Sequence, residues 1–552
     1  MVPDAPIDGK LPSVKPEDRS GDFTFSRGSN LAATRVNKSG LIEKGRENLL
    51  LQSNQFDTSW VTNTASVTSG QADKDGGTSA WKLQKSGANG RIYQSVISNG
   101  VHTFSVYAKA GDDNWAYLVI GSSAVAYFDL ANGAIGTKSS EIDAKIESYG
   151  DYGFYRISLT FNHNNPQVRI YPADGDGDVS GTSGSIYIQD AQLEQGLAAT
   201  EYIETTTAAV QKGILENLPR LDYSGGASCP SLLLEPQRTN SINKSEYFGG
   251  YAVGGGAGFV ITDNYGISPE GVQNACRIQY TSGNKYILSN SPNITIGQKI
   301  TMSIYAKGTA GEQFRLYCDG NGGAAINTEF TLTGNWKRYD VTSSAATANG
   351  VVTPHILVGY GSSNPANDFQ VYGWQGEIGA SYPTSYIPTY GSSVTRSTDS
   401  CQIASGISDL LPQGTGTMYV EATMDDAVDT EGYLMRIEQA SFANSIFIAR
   451  STAGNLFASY RNNNSTIFGF QKNNVADTFK AAFAFESGNS VLYVNGEKIS
   501  ASSVTYTPAV TYDDLRVGGF TANTANMSGV VSQAMVFKTR LTDDECIALT
   551  TI

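Results

Sequence analysis

Basic side chains are scarce and scattered: 38 Lys plus Arg stand against 52 Asp plus Glu among 552 residues, a net charge of -14, with no run of cations anywhere. Such a field repels a polyphosphate backbone, which excludes nucleic acid as a partner. Histidine is rarer still. His102, His163 and His355 share no repeated context with Ser or Cys, so a nucleophile–histidine triad is not expected. Cys229, Cys276, Cys318, Cys401 and Cys546 are odd in number, widely spaced and free of any CxxC pair. That excludes a zinc site and a disulfide frame, and predicts buried free thiols. No stretch approaches the roughly 18 apolar residues of a membrane span, so no membrane insertion is expected. The opening MVPDAPIDGKLPSVKPEDRSGD has no basic head followed by an apolar core, so no standard signal peptide is expected either. Convincing 3.6-residue periodicity is also missing, which excludes a helical fold.

What is abundant is turn and strand material: 59 Gly, 30 Tyr and 22 Phe, with only 16% charged residues. The length exceeds the roughly 250 to 300 residues at which a single core stops growing, so two to four domains are expected. An internal repeat organises most of them. TRVNKSGLIEKGRENLLLQSN from Thr34 is echoed by PRLDYSGGASCPSLLLEPQRTNSINKS from Pro219, which aligns Arg46 and Asn48 with Arg238 and Asn240. FSVYAKAG from Phe104 matches MSIYAKGT from Met302, YGFYRISLTF from Tyr152 answers GNWKRYDVTS from Gly334, and IYIQDAQLEQGLAATEYIET from Ile186 answers QVYGWQGEIGASYPTSYIPT from Gln370. Four anchors in one order, offset by about 185 to 200 positions, make the first 400 residues two copies of one module. The Arg/Asn pairs stand at each module's start, where an architectural role pinning the entering strand is expected.

Each anchor alternates with period two. Phe104, Val106 and Ala108 share one face of their strand, as do Met302, Ile304 and Ala306. The last 150 or so residues carry a different series of five- to eight-residue strands, with Met418, Val420, Ala422 and Met424 on one face. Asn495-Gly496 predicts a type I′ hairpin, and Thr542 with Glu545 predicts a capping box on one short terminal helix. Pro3, Pro6, Pro12 and Pro16 disfavour helix and central strand in the first 20 residues, which read as an arm that orders against a partner. The expected fold is therefore all-β: an extended N-terminal arm over 1–20, two repeated antiparallel jelly rolls over 21–210 and 211–400, and a second kind of sandwich over 401–552.

With these residues in place a resemblance emerges. The SVYAK strand and the closing QLEQGLAATEYIET and EIGASYPTSYIPT resemble carbohydrate-binding jelly rolls of tailed-phage structural proteins, and GDFTFSRGS with ATRVNKSGLIE resembles their linking segments. LYVNGEKI and VFKTRLTDDE resemble concanavalin A-like or laminin G-like lectin sandwiches. The resemblance implies a non-enzymatic virion surface protein, a tail or head fibre or a capsid decoration. Its arm would bind other virion proteins and its distal sandwich would contact cell-surface or environmental glycans. Localisation on a phage particle fits the missing signal peptide, and weak lectin sites gain from multivalency, so a homo-oligomer such as a trimer is expected. Two alternatives remain open at this point: a cementing or spacer protein without sugar binding, and a polysaccharide depolymerase.

Sugar recognition calls for aromatic rings on an exposed face. Trp115, Tyr117 and Tyr127 are the candidates in the first copy and Phe314 and Tyr317 in the second, each weighed against an ordinary packing role. Trp60, Trp81, Trp336 and Trp374 are expected in cores. Asp174, Asp176 and Asp178, at alternate positions among glycines, could wrap a structural calcium or form a polar turn. No other cofactor is expected. A depolymerase would need two carboxylates on one groove; Asp425 and Asp426 are the adjacent acids at a strand end, where an acidic turn also explains them.

Overall fold

The computed structural model describes residues 10–11, 22–121, 124–139, 141–226, 228–320, 323–424, 431–439, 441–519 and 526–552. Every pairing between its strands is antiparallel, and the sheets stack in pairs as sandwiches.

In the first copy the alternation of Val101–Ala110 places Phe104, Val106 and Ala108 in a core shared with Trp81, Leu118, Ile157 and Ile170. One six-stranded sheet runs from Asp143–Tyr149 through Phe154–Asn162, Val101–Ala110, Ser185–Gln195 and Ala80–Lys85 to Ala65–Gln71. The opposing sheet holds Trp115–Ile120, Ala124–Asp129, Gln167–Ala173 and Arg91–Ser95 at its centre. The second copy repeats the plan. Ile300–Gly308 lies between Lys337–Thr342 and Asp368–Ile378, and Gln313–Gly320 lies between Ile326–Thr331 and Gly350–Val358.

The repeat extends to individual hydrogen bonds. Buried Asn48 donates to the carbonyls of Ala191 (3.1 Å) and Ile203 (2.8 Å) and accepts from the amides of Leu50 and Leu193. Asn240 does the same with Trp374 (3.2 Å), Ile387 (2.9 Å), Ile242 and Gly376. Each asparagine thus satisfies four backbone groups and ties the entering strand to the closing segment, which is why the Asn recurs. Both copies also carry a bulge at one place, between Ser105 and Tyr107 and between Ser303 and Tyr305. The strand opposite turns left-handed there, at Asp190 (φ 52°) in one copy and Gly373 (φ 65°) in the other.

The third sandwich is assembled from distant parts of the chain. One sheet takes Phe23–Ser26 beside Ser400–Ile403, then Asp514–Val517, Gly432–Gln439 and Ser441–Arg450. The other takes Arg220–Asp222 and Ser231–Leu234 beside Gly529–Phe537 and Gly416–Met424. Phe23, Phe25, Leu221, Leu232 and Leu234 enter one core with Met418, Val420, Leu434 and Phe483. The sequence reading placed these segments at the heads of the two copies. Their alternation supplies one apolar face but no partner, and the partner lies in the C-terminal sandwich. The arm expected over 1–20 lies outside the described residues except Lys10–Leu11, which pair with Thr24 and Phe23.

A buried ionic node joins the three bodies. The Arg220 guanidinium reaches Asp399, Glu235 (2.6 Å), the Thr34 carbonyl (3.2 Å) and Ser385 (2.8 Å). Arg396 pairs with Glu235 at 3.0 Å and bonds the Pro236 carbonyl, and Arg27 bonds Asp399 at 3.4 Å and the carbonyls of Ile214 and Leu215. Burial pulls the Arg220 pKa down, but Asp399 and Glu235 reverse this and the net is a rise. Burial also opposes the charge on Glu235, yet Arg396, Arg220 and Ser385 hold it well below the usual carboxylate range. A second bridge sets Lys44 between Glu246 and Glu270, both at 2.7 Å, with the Tyr390 hydroxyl at 3.0 Å, and Arg46 pairs with Glu270.

Smaller expectations are met at Asn495-Gly496, whose φ values of 51° and 78° make the I′ turn, and at Thr542, which caps Asp543–Thr550 with a reciprocal bond from Glu545. Four cysteines are buried free thiols, whereas Cys229 is exposed. Trp60, Trp81 and Trp374 lie in cores, while Trp336 is half-buried under Lys307 and bonds the Ile267 carbonyl. Among the described residues no helix is long and apolar enough to cross a membrane.

Replacing Arg220 with Met would strand Asp399 and Glu235 in the interior. A loss of about 3–5 kcal/mol is expected, read by calorimetry as a lowered unfolding midpoint, while Lys498→Met at its exposed pair with Asp543 leaves the midpoint in place. A fragment of residues 395–552 lacks five core side chains of its own sandwich, and it is expected to aggregate and bind a hydrophobic dye. Residues 22–552 are expected to do neither.

Candidate functional site

The outward face of one sheet in each copy carries the candidate chemistry. Strand Trp115–Ile120 buries Ala116 and Leu118 and turns Tyr117 and Val119 outward. Tyr127 and Tyr171 stand opposite Tyr117 on the flanking strands. The Tyr117 and Tyr127 rings stack at 3.9 Å and 14°, and Tyr171 tilts against Tyr117 at 5.3 Å. With Arg169, His163 and Asn89 these rings line a groove of about 640 Å³. Burial pushes the pKa of Tyr117 and of Tyr127 up, so both phenols stay protonated and keep a donor at neutral pH.

The second copy has a groove of about 750 Å³ on the equivalent sheet, lined by Tyr286, Tyr317, His355, Arg315, Asn284 and Tyr360. Tyr317 stands opposite His355 and Asn327, as Tyr117 stands opposite Tyr171 and Tyr127. Tyr286 and Tyr317 both meet His355 edge-on, at 5.6 and 5.3 Å. Burial lowers the His355 pKa, and its Nδ1 bonds the Thr353 carbonyl at 2.8 Å. The imidazole is therefore neutral near pH 7.

The structure thus brings Tyr117 and Tyr127 into one groove and Tyr317 into its counterpart. It does not bring Phe314 there. Phe314 is 1% exposed in the second core, against Tyr339, Phe330 and Phe369. Three positions separate Phe314 from Tyr317, an odd number, so in a strand they face opposite ways. Trp115 shares the outward face of Tyr117 but sits at the strand's end, outside the groove. Its ring lies so near Gly136 that a Cβ there would meet it at 2.7 Å.

The three aspartates do not converge. Asp174 pairs with Lys85 at 2.6 Å and accepts from Gly181, Asp176 accepts twice from Thr137, and Asp178 accepts from Ser180. Among the described residues no group of three or more His, Cys, Asp and Glu side chains is placed to share a metal ion. Each carboxylate is instead used locally, as turn acids commonly are. Asp425 and Asp426 lie outside the described residues. His102 meets Ser98 Oγ at 2.7 Å, but its other nitrogen bonds the Gly100 carbonyl where a triad would place a carboxylate, and burial lowers its pKa to about 4.

Sequence reasoning missed Arg169, Tyr171, Tyr286, Arg315 and His355. A signal existed: in QVRIYPA, Arg169 and Tyr171 alternate with buried Val168 and Ile170. What was lacking was the register that sets those strands beside Tyr117 and Tyr317. A third aromatic patch lies on the C-terminal sandwich, where Tyr433, Phe442 and Phe447 pack at 5.1 to 5.5 Å and Arg461 sits 4.6 Å over Phe442.

No curated protein matches the chain. Among solved structures, it is similar to the CBM40 of Ruminococcus gnavus IT-sialidase, at 15% identity and a TM-score of 0.24 over 28% of this chain and 97% of that one. The CBM22-1-CBM22-2 tandem of Paenibacillus barcinonensis Xyn10C is similar at 13% identity and 0.18, over 63% and 98%. Mouse laminin alpha1 domains LG4-5 are similar at 10% identity and 0.19, over 55% and 89%. Residues 395–546, which overlap the segment that the sequence reads as a second kind of sandwich, match the model of the concanavalin A-like lectin/glucanases superfamily.

Proposed function

We propose that the chain is a non-enzymatic glycan-binding protein that displays two equivalent aromatic grooves on its twin sandwiches and a lectin-type sandwich at its C-terminal end. The observation that carries this reading is the recurrence of a tyrosine-lined groove on the same sheet of both copies, although the side chains that build it differ. The part-exposed rings Tyr117, Tyr286 and Tyr317 offer apolar surface to the C–H face of a pyranose, with Tyr127 and Tyr171, 7% and 6% exposed, backing Tyr117, and nearby Asn, Arg and His side chains offer partners for sugar hydroxyls. The match of residues 395–546 to the concanavalin A-like superfamily supports it.

The setting we propose is the surface of a phage particle, as tail or head fibre or capsid decoration, held through the N-terminal arm and acting in several copies. The support is the sequence resemblance of the linking segments. Individually weak sites displayed together would gain avidity on the order of 10²-fold or more.

A glycan array probed with the purified full-length chain tests the reading. Binding is expected, with Tyr117→Ala/Tyr171→Phe and Tyr286→Ala/Tyr317→Ala each weakening capture of a glycan at least tenfold while circular dichroism shows each variant folded, the Tyr171 ring being kept because it is 6% exposed. Absence of binding to every glycan, or binding that survives both double substitutions, would sink it and favour a cementing role.

A further inference from the structure

The two grooves share a framework but differ in charge. In the first, the Arg169 Nε donates to Gln167 at 2.7 Å, and no described residue accepts from its two terminal nitrogens. Arg91 stands at the groove's edge, 5.5 Å over the Tyr171 ring, with one N–H on the Asn89 carbonyl at 3.1 Å. Among the described residues no carboxylate lines this groove. Asp176 and Asp178 lie beyond Tyr127, hydrogen-bonded to Thr137 and Ser180, and their charge reaches Tyr127, so an anion has to sit toward the Arg169 side of the groove. In the second groove, Arg315 donates to Asn327 and to Glu329, both at 3.1 Å, so its charge is matched within the protein, and His355 is neutral.

We infer that the first groove selects a sugar bearing a carboxylate, of the uronic-acid class, and the second a neutral one; this rests on the glycan-binding reading above. A guanidinium with two free N–H groups in one plane is the complement of a carboxylate, which it holds by paired charge-assisted hydrogen bonds. Arg169 and Tyr171 are alternate residues of one strand on one face, about 6.6 Å apart along it. A pyranose seated on the tyrosines therefore carries its exocyclic carboxylate to Arg169. In a chain with net charge -14, distant charges disfavour an anionic ligand, so the attraction has to be local, and exposed local pairs weaken with salt.

The test titrates oligogalacturonides, hyaluronan oligosaccharides and alginate oligosaccharides, each beside its methyl ester, into the full-length chain. At least one acid is expected to bind tenfold or more tighter than its ester, with the difference shrinking as salt rises. Arg169→Gln, at the surface, erases that difference, and Arg315→Gln keeps it. The inference is overturned when no acid outbinds its ester, including the case in which no acid binds, or when Arg169→Gln retains the preference. Neutral glycans still captured through Tyr286 and Tyr317 would then leave the glycan reading standing, whereas loss of all binding, neutral and acidic, would end both.

Discussion

Three guanidinium groups and two carboxylates in the interior hold this molecule together. Taking ions out of water costs several kcal/mol each, and the cost is met only where every charge faces an opposite charge and every donor an acceptor. The node around Arg220 comes close to that condition, with only the buried Nε atoms of Arg220 and Arg396 lacking an acceptor among the described residues, and it draws on groups from four stretches of chain: Arg27 and Thr34, Arg220 and Glu235, Ser385, and Arg396 with Asp399. The surplus positive charge is spread over the carbonyls of Ile214, Leu215, Thr34 and Pro236. The node thus ties segments of all three sandwiches by polar geometry, beside the apolar core that Phe23, Phe25, Leu221, Leu232 and Leu234 share with the C-terminal sandwich.

The twin modules show which parts of a repeat are constrained. Asn48 and Asn240 satisfy the same four backbone groups, and the pairs Gln192/Glu194 and Gln375/Glu377 repeat their own bond to each other and to the following threonine. These positions answer to backbone donors and acceptors whose arrangement is the fold itself. The outward faces answer only to solvent and ligand, and there Tyr127 and Tyr171 of one copy correspond to Asn327 and His355 of the other.

Much of the architecture was legible because its signals are local. Period-two alternation in FSVYAK and MSIYAK, the Asn495-Gly496 turn and the Thr542 cap each depend on a handful of neighbouring residues. Phe314 was misread by ignoring that same parity across three positions. The groove was only half legible: Tyr117, Tyr127 and Tyr317 stand out as aromatics, but Arg169 and His355 gain meaning only from strand register, which no local pattern encodes. The strand exchange was hidden for a related reason. FTFS and SLLL declare an apolar face but not which edge they join, and the edges lie hundreds of residues away.

That exchange bears on how the chain is made. Phe23–Ser26 leaves the ribosome long before Ser400–Ile403, the strand it pairs with, and Ser231–Leu234 waits in the same way for Gly529–Phe537. The twin modules hold nearly all their strands within their own spans and can close as they emerge. The last sandwich cannot, because two of its sheet edges are synthesised first and its centre last. Its contacts are of very high order, so its closure is expected to be slow and to come only after Gly529–Phe537 has emerged. Until then Phe23, Phe25, Leu232 and Leu234 have no core to enter. The chain therefore acquires its finished form in one late step, in which the C-terminal sandwich closes over strands set down at the start and middle of the sequence.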